Sequence, residues 1–215
     1  MNAMKCSRLA SAHTACPPSY IRILNVYPCY PAVDVFVNGN LIANNLAYKQ
    51  FAGYFTVAPC TYHIKVISSG NKKECLIAEA CIQICPKSAM TIAVVGGCAA
   101  VLGIAEEYNP CRRMRNRCKA YVRFVNLSAN SPSLDVAITG GVRLFENVPY
   151  TAHTRYVPID PGTYEMQLKP AGSNQQGIAT QPIELMQCTA ATVYAVGNAV
   201  GEPPLEAITS VDGGF

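Results

Sequence analysis

There is no tryptophan in this sequence, charge is scarce, and no apolar run is long enough to cross a bilayer. Only 14% of the 215 residues are charged while half are hydrophobic, which excludes both a disordered chain and a heavily solvated one. The longest apolar stretch, 90–105, is broken by Gly96, Gly97 and Gly103, so membrane insertion is not expected. The first twenty residues hold no continuous apolar segment and do not read as a secretory signal, and the bulky Asn2 is expected to leave Met1 in place. Catalytic signatures are missing too. The chain has no H-E-x-x-H, no G-x-S-x-G elbow, no phosphate-cradling loop and no G-x-G-x-x-G. His13, His63 and His153 are far apart, none with a partner at metal or triad spacing. The expectation is a protein that is not an enzyme and needs no cofactor.

What is present is a repetition. Residues 20–39 read YIRILNVYPCYPAVDVFVNG, and residues 121–140 read YVRFVNLSANSPSLDVAITG. Tyr20, Arg22, Asn25, Pro31, Asp34, Val35 and Gly39 return as Tyr121, Arg123, Asn126, Pro132, Asp135, Val136 and Gly140 at one fixed offset. After a one-residue shift Asn45 and Tyr48 answer Asn147 and Tyr150, Tyr54 answers Tyr156, and Thr61-Tyr62 answers Thr163-Tyr164. A period near one hundred residues is too long for a solenoid and means two copies of one domain. Residues shared by the copies are expected to serve the fold, and residues private to one copy are where function is sought.

Both copies consist of short alternating or β-branched runs cut by turn signals such as Asn38-Gly39 and Pro161-Gly162. Strands are expected near 20–26, 33–37, 53–57, 61–67, 75–84 and 90–95. The second copy should have them near 121–127, 134–138, 142–145, 154–159, 163–169, 178–186 and 191–197, with a last one at 205–209. No segment has capped helical periodicity. The fold class is therefore all-β: two tandem antiparallel β-sandwich (Ig-like) domains. The expected organisation is an N-terminal extended arm at 1–19, domain 1 at 20–105, a basic linker at 106–119 and domain 2 at 120–215.

The net charge of +4 is local. Arg112, Arg113, Arg115, Arg117 and Lys119 supply five positive charges, and the remainder of the chain is slightly negative. No aromatic residue interleaves with them, so the linker reads as a solvated or partner-facing connector and not as a nucleic-acid interface. Asp34 and Asp135 recur at equivalent strand starts, which favours a turn-capping role over catalysis. Asn126-Leu-Ser128 matches a glycosylation acceptor by chance, since Asn25 holds the same place without the serine.

Eleven cysteines are the largest departure from average composition. Cys6 and Cys16 are in the arm; Cys29, Cys60, Cys75, Cys81, Cys85 and Cys98 are in domain 1; Cys111 and Cys118 bracket the linker arginines. Cys188 stands alone in domain 2 and is left out of the candidate set. In 75–85 the even positions from Leu76 to Ile84 are apolar, which turns Cys75, Cys81 and Cys85 outward with Glu79 and Gln83, unless a bulge intervenes. No C-x-x-C pair exists, so no metal site is expected. Disulfides fit best.

The pattern Y-[IV]-R-x-[VL]-N, then P-x-[VL]-D-V, a hairpin Gly, N-[LV]-x-Y and P-x-T-Y resembles the bacterial family called domain of unknown function 4397. The likeness spans 20–105 and 121–210. It implies a surface or extracytoplasmic β-sandwich without established catalysis. Domain 1 departs from the usual P-G-T-Y by carrying Cys60 where domain 2 keeps Gly162, which suggests a stapled turn. Cysteine-rich members without a signal peptide resemble spore-surface proteins of spore-forming Firmicutes, made in the mother cell and exposed on its lysis. The expected function is a structural subunit of a disulfide-stabilised filament, appendage or spore coat layer at the cell or spore surface. Its partners would be copies of itself and other spore-surface proteins. Cys6 and Cys16 would link to an adjacent subunit's thiols among those at 29–98, with Cys29 and Cys60 at one end of the sandwich. The alternative is an adhesin-like or glycan-binding module with only internal disulfides.

Overall fold

The computed structural model describes residues 18–70, 75–96, 101–106, 116–173 and 177–213, with the side chain of Glu106 excepted. Residues 1–17 of the arm expected at 1–19, Cys98 and most of the linker, including Cys111, Arg112, Arg113 and Arg115, lie outside the described residues.

Domain 1 comprises β1 (Ser19–Val26), β2 (Ala32–Val37), β3 (Asn40–Ala47), β4 (Phe51–Val57), β5 (Thr61–Ser68), β6 (Leu76–Gln83), β7 (Ala89–Val95) and β8 (Val101–Glu106). They form two four-stranded sheets, β4-β1-β7-β8 and β3-β2-β5-β6. Domain 2 repeats this. It comprises β9 (Ala120–Asn126), β10 (Leu134–Ile138), β11 (Arg143–Val148), β12 (Val157–Ile159), β13 (Gly162–Tyr164), β14 (Met166–Pro170), β15 (Ile178–Ala179), β16 (Ile183–Leu185), β17 (Ala190–Val196) and β18 (Glu206–Asp212). Its sheets are β12-β9-β17-β18 and β11-β10-β14-β15, with β13-β16 as a separate pair.

The two-domain all-β architecture matches the sequence reading, with differences in detail. Pairing is not wholly antiparallel, because β1 runs parallel to β7 and β9 parallel to β17. The first strand of each repeat lies beside the last but one. Strands β3 and β8 went unread: β3 is NLIANNLA, in which Asn45 takes a positive φ, and β8 is hidden in the long glycine-broken apolar run. In domain 2 the expected strands at 163–169 and 178–186 are each divided in two.

Each domain buries a core between its two sheets. Ile21, Ile23, Val35, Ile64, Val66, Ile92 and Val94 fill the first; Val122, Phe124, Val136, Met166, Leu168 and Val193 fill the second. A third core lies between the domains, where Leu24, Val26, Ala93 and Val95 meet Val125, Leu127, Tyr194 and Val196. β1, β7, β9 and β17 are therefore buried on both faces, and their apolar residues occupy neighbouring positions instead of alternating with exposed polar ones. The four four-stranded sheets are thus stacked with three apolar layers between them.

The motif residues hold this stack together. Asp34 accepts the Asn45 amide at 2.7 Å and Asp135 accepts that of Asn147 at 2.8 Å, the capping role expected of them. Both asparagines have φ near 50°, a left-handed conformation that Asn tolerates. Asn25 and Asn126 are fully buried and donate to the Leu46 and Val148 carbonyls. Asn126 is thus no glycan acceptor. Arg22 donates from Nε to Thr91 Oγ1 at 2.9 Å, and Arg123 donates likewise to Thr192 Oγ1 at 2.8 Å. Each guanidinium then crosses to the other domain. Arg22 Nη1 reaches the Val211 carbonyl at 3.2 Å and Nη2 reaches Asp212 Oδ1, while Arg123 Nη1 reaches the Ala105 carbonyl. Tyr54 and Phe51 face the Arg22 guanidinium, and Tyr156 faces that of Arg123.

Candidate functional site

Six cysteines among the described residues are free thiols: Cys29, Cys60, Cys75, Cys81, Cys85 and Cys118. Five are exposed, Cys60 is half-buried and none belongs to a core. Free cysteine is ordinarily among the most buried residue types, so thiols placed this way are not packing elements. Strand chemistry explains the placement. From Ala78 onward β6 alternates as expected: Ala78, Ile82 and Ile84 point inward, and Glu79, Cys81, Gln83 and Cys85 point out. The alternation fails at Leu76, which is 53% exposed instead of buried. A register irregularity sets Val66 opposite Ala78 but Ile67 opposite Leu76, so Ile77 is the extra residue and the strand start is turned over.

The thiols fall at three places in domain 1. Cys29, in the β1–β2 turn, and Cys75, at the start of β6, share one end with Tyr27 and Tyr30, whose rings stack at 6.0 Å. The Tyr30 hydroxyl lies 3.4 Å from Cys75 Sγ, and that contact is the main reason its pKa is raised. Tyr27 is raised chiefly by desolvation and then by its hydrogen bond with Cys29. Cys60 and Cys85 are at the opposite end, where Ile84 N donates to the Cys60 carbonyl at 2.9 Å. The expectation that Cys29 and Cys60 share one end is therefore corrected: β4 runs antiparallel to β1, so the turn after it returns to the end where β1 begins. Cys81 occupies the middle of the outer face, opposite His63. His63 Nε2 is 3.8 Å from Glu79, a solvent-facing contact.

The Cys60 turn is not stapled; its thiol is free. The two turns differ in backbone: Gly162 takes a φ of 158°, and Cys60 is not among the residues of positive φ. Cys188, read as standing alone, is instead disulfide-bonded. Its backbone N–H donates to the Lys119 carbonyl at 2.9 Å, which puts it at the entrance to β9 near Cys118. Three-dimensional proximity gave no signal in one dimension. Cys6, Cys16, Cys98 and Cys111 are outside the described residues.

Among the described residues no group of three or more His, Cys, Asp or Glu side chains could hold a metal ion. His153 is half-buried beside Arg123, and desolvation first and that charge second lower its pKa. Of the linker cations described, Lys119 pairs with Asp160 at 2.6 Å. A shallow cavity of about 210 Å³ lies at the domain junction between Pro28, Cys29, Gly96, Leu127 and Asn198. No helix is long and apolar enough to cross a membrane among the described residues.

The family model for domain of unknown function DUF4397 matches twice, over residues 19–108 and 120–213. No curated protein matches the chain. Among solved structures, the chain is similar to the carbohydrate-binding module CBMbc (family CBM26) from Eubacterium rectale Amy13K in complex with maltoheptaose. That likeness has 9% identity and a TM-score of 0.31, and it covers 91% of this chain and 97% of that one.

Proposed function

We propose that this chain, which belongs to the DUF4397 family in both of its halves, is a structural subunit of a disulfide-stabilised bacterial surface assembly. The observation that carries the reading is the set of six free, outward-lying thiols, five of them on domain 1. A protein that places thiols on its surface exposes them to oxidation and exchange, which in a soluble reducing compartment is a liability and in a cross-linked layer is the means of assembly. The disulfide at Cys188 is consistent with an oxidising destination. Cys6 and Cys16 are the donors in this reading and the domain 1 thiols the acceptors. A heterologous contact of that kind propagates into a filament or layer and does not close. The site of assembly is the cell or spore surface, with other surface proteins as further partners.

A non-reducing denaturing gel of native material tests this directly. A ladder that collapses to one band at 23.1 kDa with reductant is expected, and Cys6→Ser with Cys16→Ser should abolish the ladder. One monomer band in both lanes overturns covalent assembly and turns attention to a glycan-binding module.

A further inference from the structure

The two domains treat their sheet edges differently. In domain 2 the outer strand beside β14 is β15, only two residues long, and Pro182 interrupts the chain before β16. Short, proline-broken edges resist pairing with other chains. In domain 1 the corresponding edge is β6, eight residues without proline, and among the described residues it pairs on one side only, with β5. The hydrogen-bond phase shows what that edge offers. Ile84 N donates to the Cys60 carbonyl, and the antiparallel register continues through Thr61 opposite Gln83 and Tyr62 opposite Ile82. Alternation then turns the backbone groups of Ile82, Ala80 and Ala78 toward β5, and those of Gln83, Cys81 and Glu79 toward the open edge. The β5 strand agrees, since His63 accepts from Asn38 on its far side. Cys81 is the centre of the outward-bonding set.

We propose that a second copy of this chain docks here, β6 against β6, antiparallel about a two-fold axis through Cys81. The edge is self-complementary in this register. Cys81 faces the partner's Cys81, and Glu79 faces the partner's Gln83 on both sides of the axis, so no like charges are opposed. Two four-stranded sheets become one continuous sheet across the dimer. Residues opposed in an outward-bonding antiparallel pair have Cα atoms about 5.5 Å apart, within the span of a disulfide. Oxidation therefore joins the two Cys81 sulfurs. Two S–H bonds are lost, one S–S bond forms, two protons leave, and two electrons reduce a low-molecular-weight disulfide to its thiols. The inference uses β6 alone and does not depend on the segment 1–17, so it stands or falls separately from head-to-tail linkage.

The test uses the full chain carrying Cys75→Ser and Cys85→Ser, so that the β6 peptide holds one thiol, oxidised with glutathione disulfide. Mass spectrometry follows the Cys81–Cys81 homodimeric peptide against the Cys118–Cys118 one, a chance-collision control at another exposed thiol. Cys81 self-linkage is expected at least tenfold faster. Gln83→Glu, a near-isosteric change on an exposed side chain, opposes two carboxylates at each end of the pair and should slow it at least tenfold; Gln83→Lys should restore or exceed the original rate. Equal rates at Cys81 and Cys118, indifference to the charge at position 83, or capture of Cys81 by Cys6 or Cys16 overturns the proposal.

Discussion

Domain 1 and domain 2 are built on the same hydrogen-bond skeleton and clothed differently. The skeleton is reproduced bond for bond: Asp to the positive-φ Asn amide, buried Asn to a strand carbonyl, Arg to Thr across the parallel strand pair. The clothing diverges. Domain 1 carries Cys29, Cys60, Cys75, Cys81 and Cys85 free and a long edge strand, whereas domain 2 has its one cysteine in a disulfide and a broken edge. Duplication has left the interior of both copies alike and specialised the outside of one. In the proposed assembly the contacts would fall to domain 1, with domain 2 as a partner packed on it through the third core.

That fixation gives the largest expected effect. Asp212 is buried, receives Arg22 and the Tyr156 hydroxyl at 2.6 Å, accepts from Thr192 as well, and has Arg123 Nε 3.9 Å away. Removing a buried carboxylate strands the guanidinium beside it, a loss of about 3–5 kcal/mol. Asp212→Ala should cost that much in urea denaturation, while the β-rich far-ultraviolet signature of any remaining folded protein persists. A loss below about 1 kcal/mol would mean that the domains are held by apolar packing alone. The register of domain 1 places Glu106 opposite Ala89, as Asp212 is opposite Ala190, so the two repeats supply acidic residues at matching backbone positions.

The paired aspartates sharpen the comparison next. Asp34 accepts one backbone N–H and is part-exposed, whereas Asp135 is buried, accepts from Asn147 and from Gly172 at 3.1 Å, and has Arg143 3.5 Å away. Burial alone would raise the Asp135 pKa, but the two N–H donors, with Arg143 and Lys169, hold it below the usual 3.8. A depressed folded-state pKa contributes stability that is full above the unfolded value and lost as pH falls through the folded one. Asp135→Asn should therefore cost about 1–3 kcal/mol at neutral pH and flatten the loss of stability below about pH 4, while Asp34→Asn costs less than 1 kcal/mol. Thermal melts of both variants from pH 7 to pH 2 measure the contrast.

Much of this is legible in the sequence because the repeat acts as an internal control. Asp34 and Asp135 at matching strand starts give the capping role, and strict alternation along 78–85 gives the outward thiols. What escapes is set by distance in three dimensions. Arg22 and Arg123 are visible as shared residues, yet their carboxylate partner is nearly two hundred residues from Arg22. The inter-domain core erases the alternation that would have marked β1 and β9 as two-faced. Leu76 is misplaced by one extra residue at Ile77, which no periodicity reveals beforehand. Cys188 reads as solitary because the chain that brings it to Lys119 is remote in sequence.

The smallest effect separates two tyrosines that the repeat makes equivalent. The Tyr150 hydroxyl donates across the domain junction to the Gly96 carbonyl at 2.6 Å. The matching acceptor for Tyr48 would be the carbonyl of Gly197, but Ser128 Oγ takes it at 2.8 Å, and the first repeat has Tyr27 where the second has that serine. The Tyr48 hydroxyl is accordingly buried with no hydrogen-bond partner among the described residues, and burial, with the charge of Glu206, pushes its pKa up to about 12. A buried donor that makes a bond contributes about 1 kcal/mol, and one that makes none contributes nothing or detracts. Tyr150→Phe should lower stability by about 1 kcal/mol, whereas Tyr48→Phe should leave it unchanged or raise it by up to about 0.5 kcal/mol. Equal losses in the two variants, measured by urea denaturation at neutral pH, would show that Tyr48 has an acceptor in solution and that the repeats are more alike at the junction than their hydrogen bonds indicate.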